Sequence, residues 1–195
     1  MTMRIIIMCK APVAGKVKTR LMTHYSAEQA AALHMAMATT VIERAKRLFD
    51  DVVIAVDDCT HPFFTPFALP LLPQGEGDLG QRMHRQVQQA FSDDIDAVML
   101  LGTDSPHMPD ARLLVAAAQV NHHDVIIGPV EDGGYDLIAM SQALALFDHV
   151  VWSSKDVLKQ TLANVDALGL SNKQLDIAFD VDFPADIERA KQAGW

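Results

Sequence analysis

Cysteine, positive charge and long apolar runs are all scarce in this chain, and each scarcity excludes a class of protein. Two cysteines in 195 residues, Cys9 and Cys59, have no metal-type spacing, so they make neither a disulfide framework nor a zinc site. Cys9 ends an apolar run and reads as a small core residue. Lysine and arginine total 16 against 25 aspartates and glutamates, a net charge of −9, which argues against nucleic acid or an anionic membrane as partner. The opening "IIIMC" is too short for a signal peptide and is interrupted by Lys10. The weakly polar "QAAALHMAMATTVI" is broken by Gln29, His34 and two threonines, as in a helix buried in protein rather than lipid. A cytoplasmic protein is expected, with no internal repeat or low-complexity linker and a length that fits one domain over residues 1–195.

What is present alternates. Short apolar, β-branched runs at 4–9, 51–56, 97–102, 124–129 and 175–181 read as buried strands. Helical patterns lie between them. The first is capped by Ser26 with Gln29 three residues on and runs to Leu48; others are "DLGQRMHRQVQQAF", "PDARLLVAAAQV", "SKDVLKQTLANVDALG" and "PADIERAKQAG". Such alternation predicts an α/β fold, a three-layer αβα sandwich around a mainly parallel sheet. The segment "DVIIGPVEDGGYDLIAM" joins two apolar runs by a link too short for a crossover helix, so one antiparallel strand is expected near 135–140. Four prolines between His61 and Pro73 predict an irregular segment able to form a flap.

Against that acidic average, the loop after the first strand gathers Lys10, Lys16, Lys18 and Arg20 around Pro12 and Gly15. It is not a Walker A loop, because Lys10 stands at the first glycine position and Val17 at the hydroxyl position. Cations and glycine at the carboxyl end of a strand nevertheless suit a di- or triphosphate. The bland alternative is a solvated basic turn.

Acidic residues supply a counterpart. Asp104, in "LLGTDSPHMP", follows the end of an apolar strand, where a carboxylate could hold a divalent metal that bridges phosphates, or could only cap a turn. Asp180 and Asp182 alternate in "FDVDFP", so both could face one site; either could instead cap the last helix. In "QGEGDLGQRM" the glycines, Gly80 among them, permit close backbone approach to a planar ligand, and Gln74 offers a two-sided amide. Asp78 is read as a helix cap. The loop Asp132–Gly133–Gly134–Tyr135 is polar and flexible, or simply a tight connection. His34, on an apolar helix face, reads as a satisfied core residue.

Taken in order, "KAPVAGKVKTRL", "GEGDLGQRM", "LLGTDSPHMP", "GPVEDGGYDLI", "VWSSKDVL" and "FDVDFPADI" resemble bacterial glycosyltransferase-like proteins associated with radical-SAM/selenodomain loci. That family lies in the nucleotide-diphospho-sugar transferase superfamily, of GT-A fold, and the resemblance covers nearly the whole chain. It implies a nucleotide loop over Lys10 to Arg20, a metal aspartate at Asp104, a second metal carboxylate at Asp180 or Asp182, and an acceptor loop over Asp132 to Tyr135. Nucleotide contacts would then fall to Lys10, Pro12, Gly15, Lys18, Arg20, Gln74 and Gly80, with Lys18, Arg20 and Asp104 catalytic. Pro106 stands where many glycosyltransferases of this fold have the second aspartate of Asp-x-Asp. "TDSP" is instead similar to nucleotidyltransferases such as phospholactate guanylyltransferase, which Lys18 to Leu21 also resemble. The implied activity is Mg²⁺- or Mn²⁺-dependent nucleotidyl transfer from a nucleoside triphosphate to a small phosphorylated or sugar-like acceptor. Alternatives are glycosyl transfer from a nucleotide sugar and a catalytically silent nucleotide-sensing domain.

Overall fold

The computed structural model describes residues 2–195. The strands are β1 (Met3–Cys9), β2 (Asp51–Val56), β3 (Leu71–Pro73), β4 (Ala97–Leu101), β5 (Val125–Pro129), β6 (Tyr135–Met140) and β7 (Asn172–Gln174). The helices are α1 (Ala27–Leu48), α2 (Leu79–Ser92), α3 (Asp110–Gln119), α4 (Val157–Ala167) and α5 (Pro184–Gln192). All seven strands form one sheet in the order β3-β2-β1-β4-β6-β5-β7. Pairing is parallel except at β6, which runs antiparallel to β4 and β5 on either side. The expected antiparallel strand is therefore present, and it sits inside the sheet.

Residue alternation divides the core between two faces. Ile5, Ile7, Val52, Ile54, Met99 and Leu101 pack towards α1 and α3. Ile6, Val53, Val98 and Leu100 pack towards α2 and α4. The central strands β1, β2, β4, β5 and β6 are apolar on both sides because each side carries helices, which gives the three layers. Two capping boxes fix helix starts, Ser26 with Gln29 on α1 and Asp78 with Gln81 on α2, as the sequence pattern predicts. Among the described residues, no helix is long and apolar enough to cross a membrane.

Two expectations fail at the sheet's edges. The run 175–181 is not a strand: β7 lies upstream, and only Ala178 bridges, to Val130. Pro129 has no N–H to give at the end of β5, so regular pairing with the segment after β7 stops there. Ile177 is consequently 71% exposed. The proline-rich segment is no flap. It forms a 3₁₀ turn over Pro62–Phe67 that buries Phe64 and Phe67, and then the edge strand β3.

An ion pair sits inside the β5–β6 region. Arg112 of α3 donates through Nε to Asp136 Oδ2 at 3.0 Å, and both side chains are almost wholly buried, at 8% and 2% exposure. Arg112 also donates to the carbonyls of Asp176 and Pro129. Only glycine fits at Gly128, where an added Cβ would lie 2.3 Å from Asp136 Oδ1. Removing one partner strands a buried charge, whereas removing both does not. Arg112→Met should therefore lower unfolding free energy by about 3–5 kcal/mol in urea denaturation, and adding Asp136→Leu should recover most of that loss.

Near the end of the chain, Phe179 is stacked on His107, with ring centroids 3.8 Å apart, and the Arg189 guanidinium also lies over its ring. Burial, together with the charges of Arg189, Arg44 and Arg112, pushes the His107 imidazole down to about 4. The unfolded chain takes up this proton near the ordinary histidine value, so the folded state loses stability as pH falls from about 6.5 to 4. His107→Phe keeps a ring on Phe179 and removes the titration. Its melting temperature should fall less than wild type's between pH 7 and pH 5.

Candidate functional site

The chain leaves β1 to build β2 and β3 on one side, then returns to place β4 on the other. That change of direction opens a crevice at the carboxyl ends of β1 and β4, the usual ligand position in an open α/β sheet. Because β6 is antiparallel, its first residues, Tyr135 and Asp136, reach the same edge. The resulting cleft has a volume of about 780 Å³, within the range of small-molecule sites.

The loop after β1 is pinned before it reaches the cleft. His34 Nε2 donates to Lys10 O at 2.9 Å, which confirms His34 as a satisfied buried residue, and Ala11 N donates to Asp57 Oδ1 at 2.6 Å. Gly15 turns the loop at φ 81°, and Val17 buries its side chain. Lys18 then takes a left-handed conformation, φ 46° and ψ 43°, unusual for a residue with a side chain. The geometry drives its ammonium inward, where it donates to Val181 O at 2.7 Å and pairs with Asp104 Oδ1 at 2.9 Å and Asp182 Oδ1 at 3.2 Å. Burial works against that charge, but Asp104 and Asp182 outweigh it and hold the Lys18 pKa above the ordinary lysine value. Arg20 closes the network on Asp182.

On the opposite side, Val181 N donates to Asp104 O at 2.8 Å, which fastens the segment after β7 to the end of β4. This contact, rather than strand pairing, brings Asp180 and Asp182 to the site. Asp180 is buried and close to Asp104, and those causes push its carboxyl up to about 7. Ser105 Oγ donates to Phe179 O at 3.0 Å and to Asp180 Oδ1 at 2.6 Å, two acceptors for one hydroxyl proton. An Asp180 that keeps its own proton satisfies both.

Of the expected site residues, the structure gathers Lys10, Lys18, Arg20, Asp104, Asp132, Gly134, Tyr135, Asp180 and Asp182 around the cleft. Others serve the fold. Gln74 borders the cleft, but its Nε2 donates to Ala55 O at 2.8 Å and to Cys9 O at 3.3 Å, so this amide group joins β1, β2 and β3 instead of facing a ligand. Gly80 is packed on Trp152, where a Cβ would lie 2.8 Å from Nε1. Pro12 and Gly15 shape the loop and do not line the cleft, and Gly133 faces Lys155 O rather than the cavity. Tyr135 is a wall residue: burial pushes its phenol up, and its ring meets Trp152 edge-on at 6.5 Å.

The carboxylates divide by environment. Asp182 pairs with both Lys18 and Arg20, and Asp104 with Lys18 alone, so a metal at either would displace an ion pair. Asp180 makes no ion pair among the described residues, and a divalent cation would offset the burial and the Asp104 repulsion that raise it. Among the described residues, no three His, Cys, Asp or Glu side chains form a metal cluster. Mg²⁺ on a polyphosphate needs only one or two carboxylates, so the donor set fits. Asp136, Arg82, Trp152 and Lys155 also line the cleft; they lie within segments that carry the family resemblance, but nothing in the sequence singled them out as site residues.

The fold recurs in known structures. A proposed nucleotide-diphospho-sugar transferase from Desulfovibrio desulfuricans G20 is 33% identical, covers 94% of this chain and 84% of its own, and superposes with a TM-score of 0.87. CMP:2-keto-3-deoxy-manno-octonic acid synthetase, solved with CTP, is 13% identical over 98% of both chains at a TM-score of 0.63. Glucosyl-3-phosphoglycerate synthase from Mycobacterium tuberculosis, solved with Mn²⁺, UDP and glucosyl-3-phosphoglycerate, is 11% identical over 98% of this chain and 77% of that one, at 0.61. The last two show the fold alone. No curated protein matches the sequence. A family model matches residues 39–154. With the nucleotide-diphospho-sugar transferase fold, the chain belongs to the family described as an uncharacterized protein conserved in bacteria, DUF2064.

Proposed function

We propose that this protein is a divalent-metal-dependent transferase that moves a nucleotidyl group from a nucleoside triphosphate to a small phosphorylated or sugar-like acceptor. One observation carries the reading: Lys18 Nζ lies 2.9 Å from Asp104 Oδ1, so the basic loop after β1 and the carboxylate after β4 face one cleft. Supporting it are the lone aspartate in Thr103–Pro106, similar to nucleotidyltransferases, and the likeness to the Desulfovibrio structure.

In this reading Lys10, Lys16, Lys18 and Arg20 hold the polyphosphate, and Asp104 with Asp180 would hold the metal. The metal, when bound, supplies positive charge to the phosphate oxygens. An acceptor oxygen forms a bond to the α-phosphorus as the bond from that phosphorus to the bridging oxygen breaks. Pyrophosphate leaves with the electron pair; an attacking phosphate oxygen carries no proton, and the proton of an attacking hydroxyl goes to solvent water. Lys18 and Arg20 neutralise the leaving charge. Catalysis of this kind rests on positioning and charge, without a protein nucleophile. Tyr135 and Gly134 place the acceptor at the far wall.

A thermal-shift screen of nucleoside triphosphates and nucleotide sugars, with and without Mg²⁺ or Mn²⁺, tests the substrate class. Nucleotidyl transfer releases pyrophosphate; release of a nucleoside diphosphate would instead assign glycosyl transfer. Tight nucleotide binding with neither product across an acceptor panel would leave a sensing domain. Asp104→Ala should bind nucleotide without any gain from Mg²⁺, and a persisting metal-dependent rise in melting temperature would sink the metal assignment. Lys18→Ala should weaken nucleotide affinity at least tenfold, about 1.4 kcal/mol, as read by calorimetry.

A further inference from the structure

The cleft has a second cationic wall that the polyphosphate does not account for. Arg82 of α2 and Lys155, in the turn that precedes α4, line the same cleft as the loop after β1. Arg82 Nε donates to Gly77 O at 2.9 Å, and Lys155 makes no ion pair among the described residues. Beside them Trp152 forms an aromatic wall with Tyr135, at 6.5 Å, and Phe147, at 6.2 Å.

The turn that presents Lys155 is held in an unusual shape. Ser153 has φ 61°, a left-handed conformation that its side chain disfavours. Ser154 Oγ donates to Val151 O at 2.7 Å and accepts from Asp156 N at 3.3 Å, which closes the turn. Gly133 then receives it: Leu158 N donates to Gly133 O at 2.8 Å, and a Cβ on Gly133 would lie 2.0 Å from Lys155 O. No other residue fits without pushing the turn away. The first glycine of the 132–135 loop is thus required for the backbone that carries Lys155, at the cleft wall beside Tyr135.

We propose that Lys155, with the Ser153 hydroxyl and Arg82, is the subsite for an anionic group on the acceptor. The acceptor is then a small molecule with a phosphate or carboxylate handle, remote from the attacking oxygen, and an apolar or planar face that rests on Trp152. Gly133 is a positioning residue for that subsite. This assignment rests on the transferase reading, since it names the acceptor of the same cleft, but it can be tested apart from it.

The chain contains two tryptophans, and Trp195→Phe leaves Trp152 as the sole reporter. In that background, with Mg²⁺ present, inorganic phosphate and acetate are titrated while Trp152 emission is followed, with glycerol as neutral control. Phosphate, acetate or both should give a saturable change, and the responding anion identifies the handle. Lys155→Ala should weaken it at least tenfold, Lys155→Arg should restore most of it, Gly133→Ala should mimic Lys155→Ala, and Lys18→Ala should leave it within twofold. No saturable response in the parent, or equal affinity in Lys155→Ala, overturns the subsite. Thermal shifts with nucleoside triphosphate and Mg²⁺ should be unchanged in Lys155→Ala. If they are absent throughout while the anion response persists, the transferase reading alone fails.

Discussion

A buried ammonium between two carboxylates organises this end of the molecule. Lys18 joins parts of the chain that are far apart in sequence: the loop after β1, the end of β4 through Asp104, and the segment after β7 through Val181 and Asp182. Such a charge survives burial because each neighbour is a full or partial negative charge. It also accounts for two of the four cations in the loop after β1, Lys18 and Arg20. The left-handed backbone at Lys18 is stable because its side chain reaches those acceptors, and a shorter residue would lose them all.

The site is close to self-neutralised as it stands. Asp182 is offset by Lys18 and Arg20, and Asp180 titrates near neutrality because Asp104 and burial both oppose its charge. Lys10 and Lys16 are left with no carboxylate partner among the described residues. Under the proposed function, an incoming polyphosphate would meet free cations at the rim before it reached paired ones within. Binding at the inner position would then exchange one set of ionic contacts for another, which favours selectivity over raw affinity.

Much of this was legible from residue order. Alternating apolar runs and helix caps specified the layers, because strands covered on both faces must be apolar throughout. Asp104 was legible because it lies just past a strand whose end is easy to locate, and Lys18 and Arg20 because they belong to a cluster of cations in an acidic chain. Asp180 and Asp182 were found for a partly mistaken reason, since they arrive on an irregular segment tied to Asp104 O rather than on a strand. Gln74 and Gly80 look like ligand residues in sequence, yet they bond and pack within the fold. Trp152, Lys155 and Asp136 lie in segments that carry the family resemblance, yet their roles were not assigned because tertiary contacts create them, above all the approach of Gly133 to Lys155 O and the pairing of Asp136 with Arg112.

The central position of β6 bears on how the molecule assembles. During synthesis β1 to β4 emerge first, and β4 has an open hydrogen-bonding edge until the β5–β6 hairpin inserts beside it. The final segment can settle only afterwards, since it lies along β5 and reaches Asp104. Until then the nascent chain exposes an apolar edge of the kind that invites aggregation or a chaperone. The cleft is accordingly the last part of the molecule to form, and under the proposed function a phosphate-bearing ligand would act as a clasp on the completed chain.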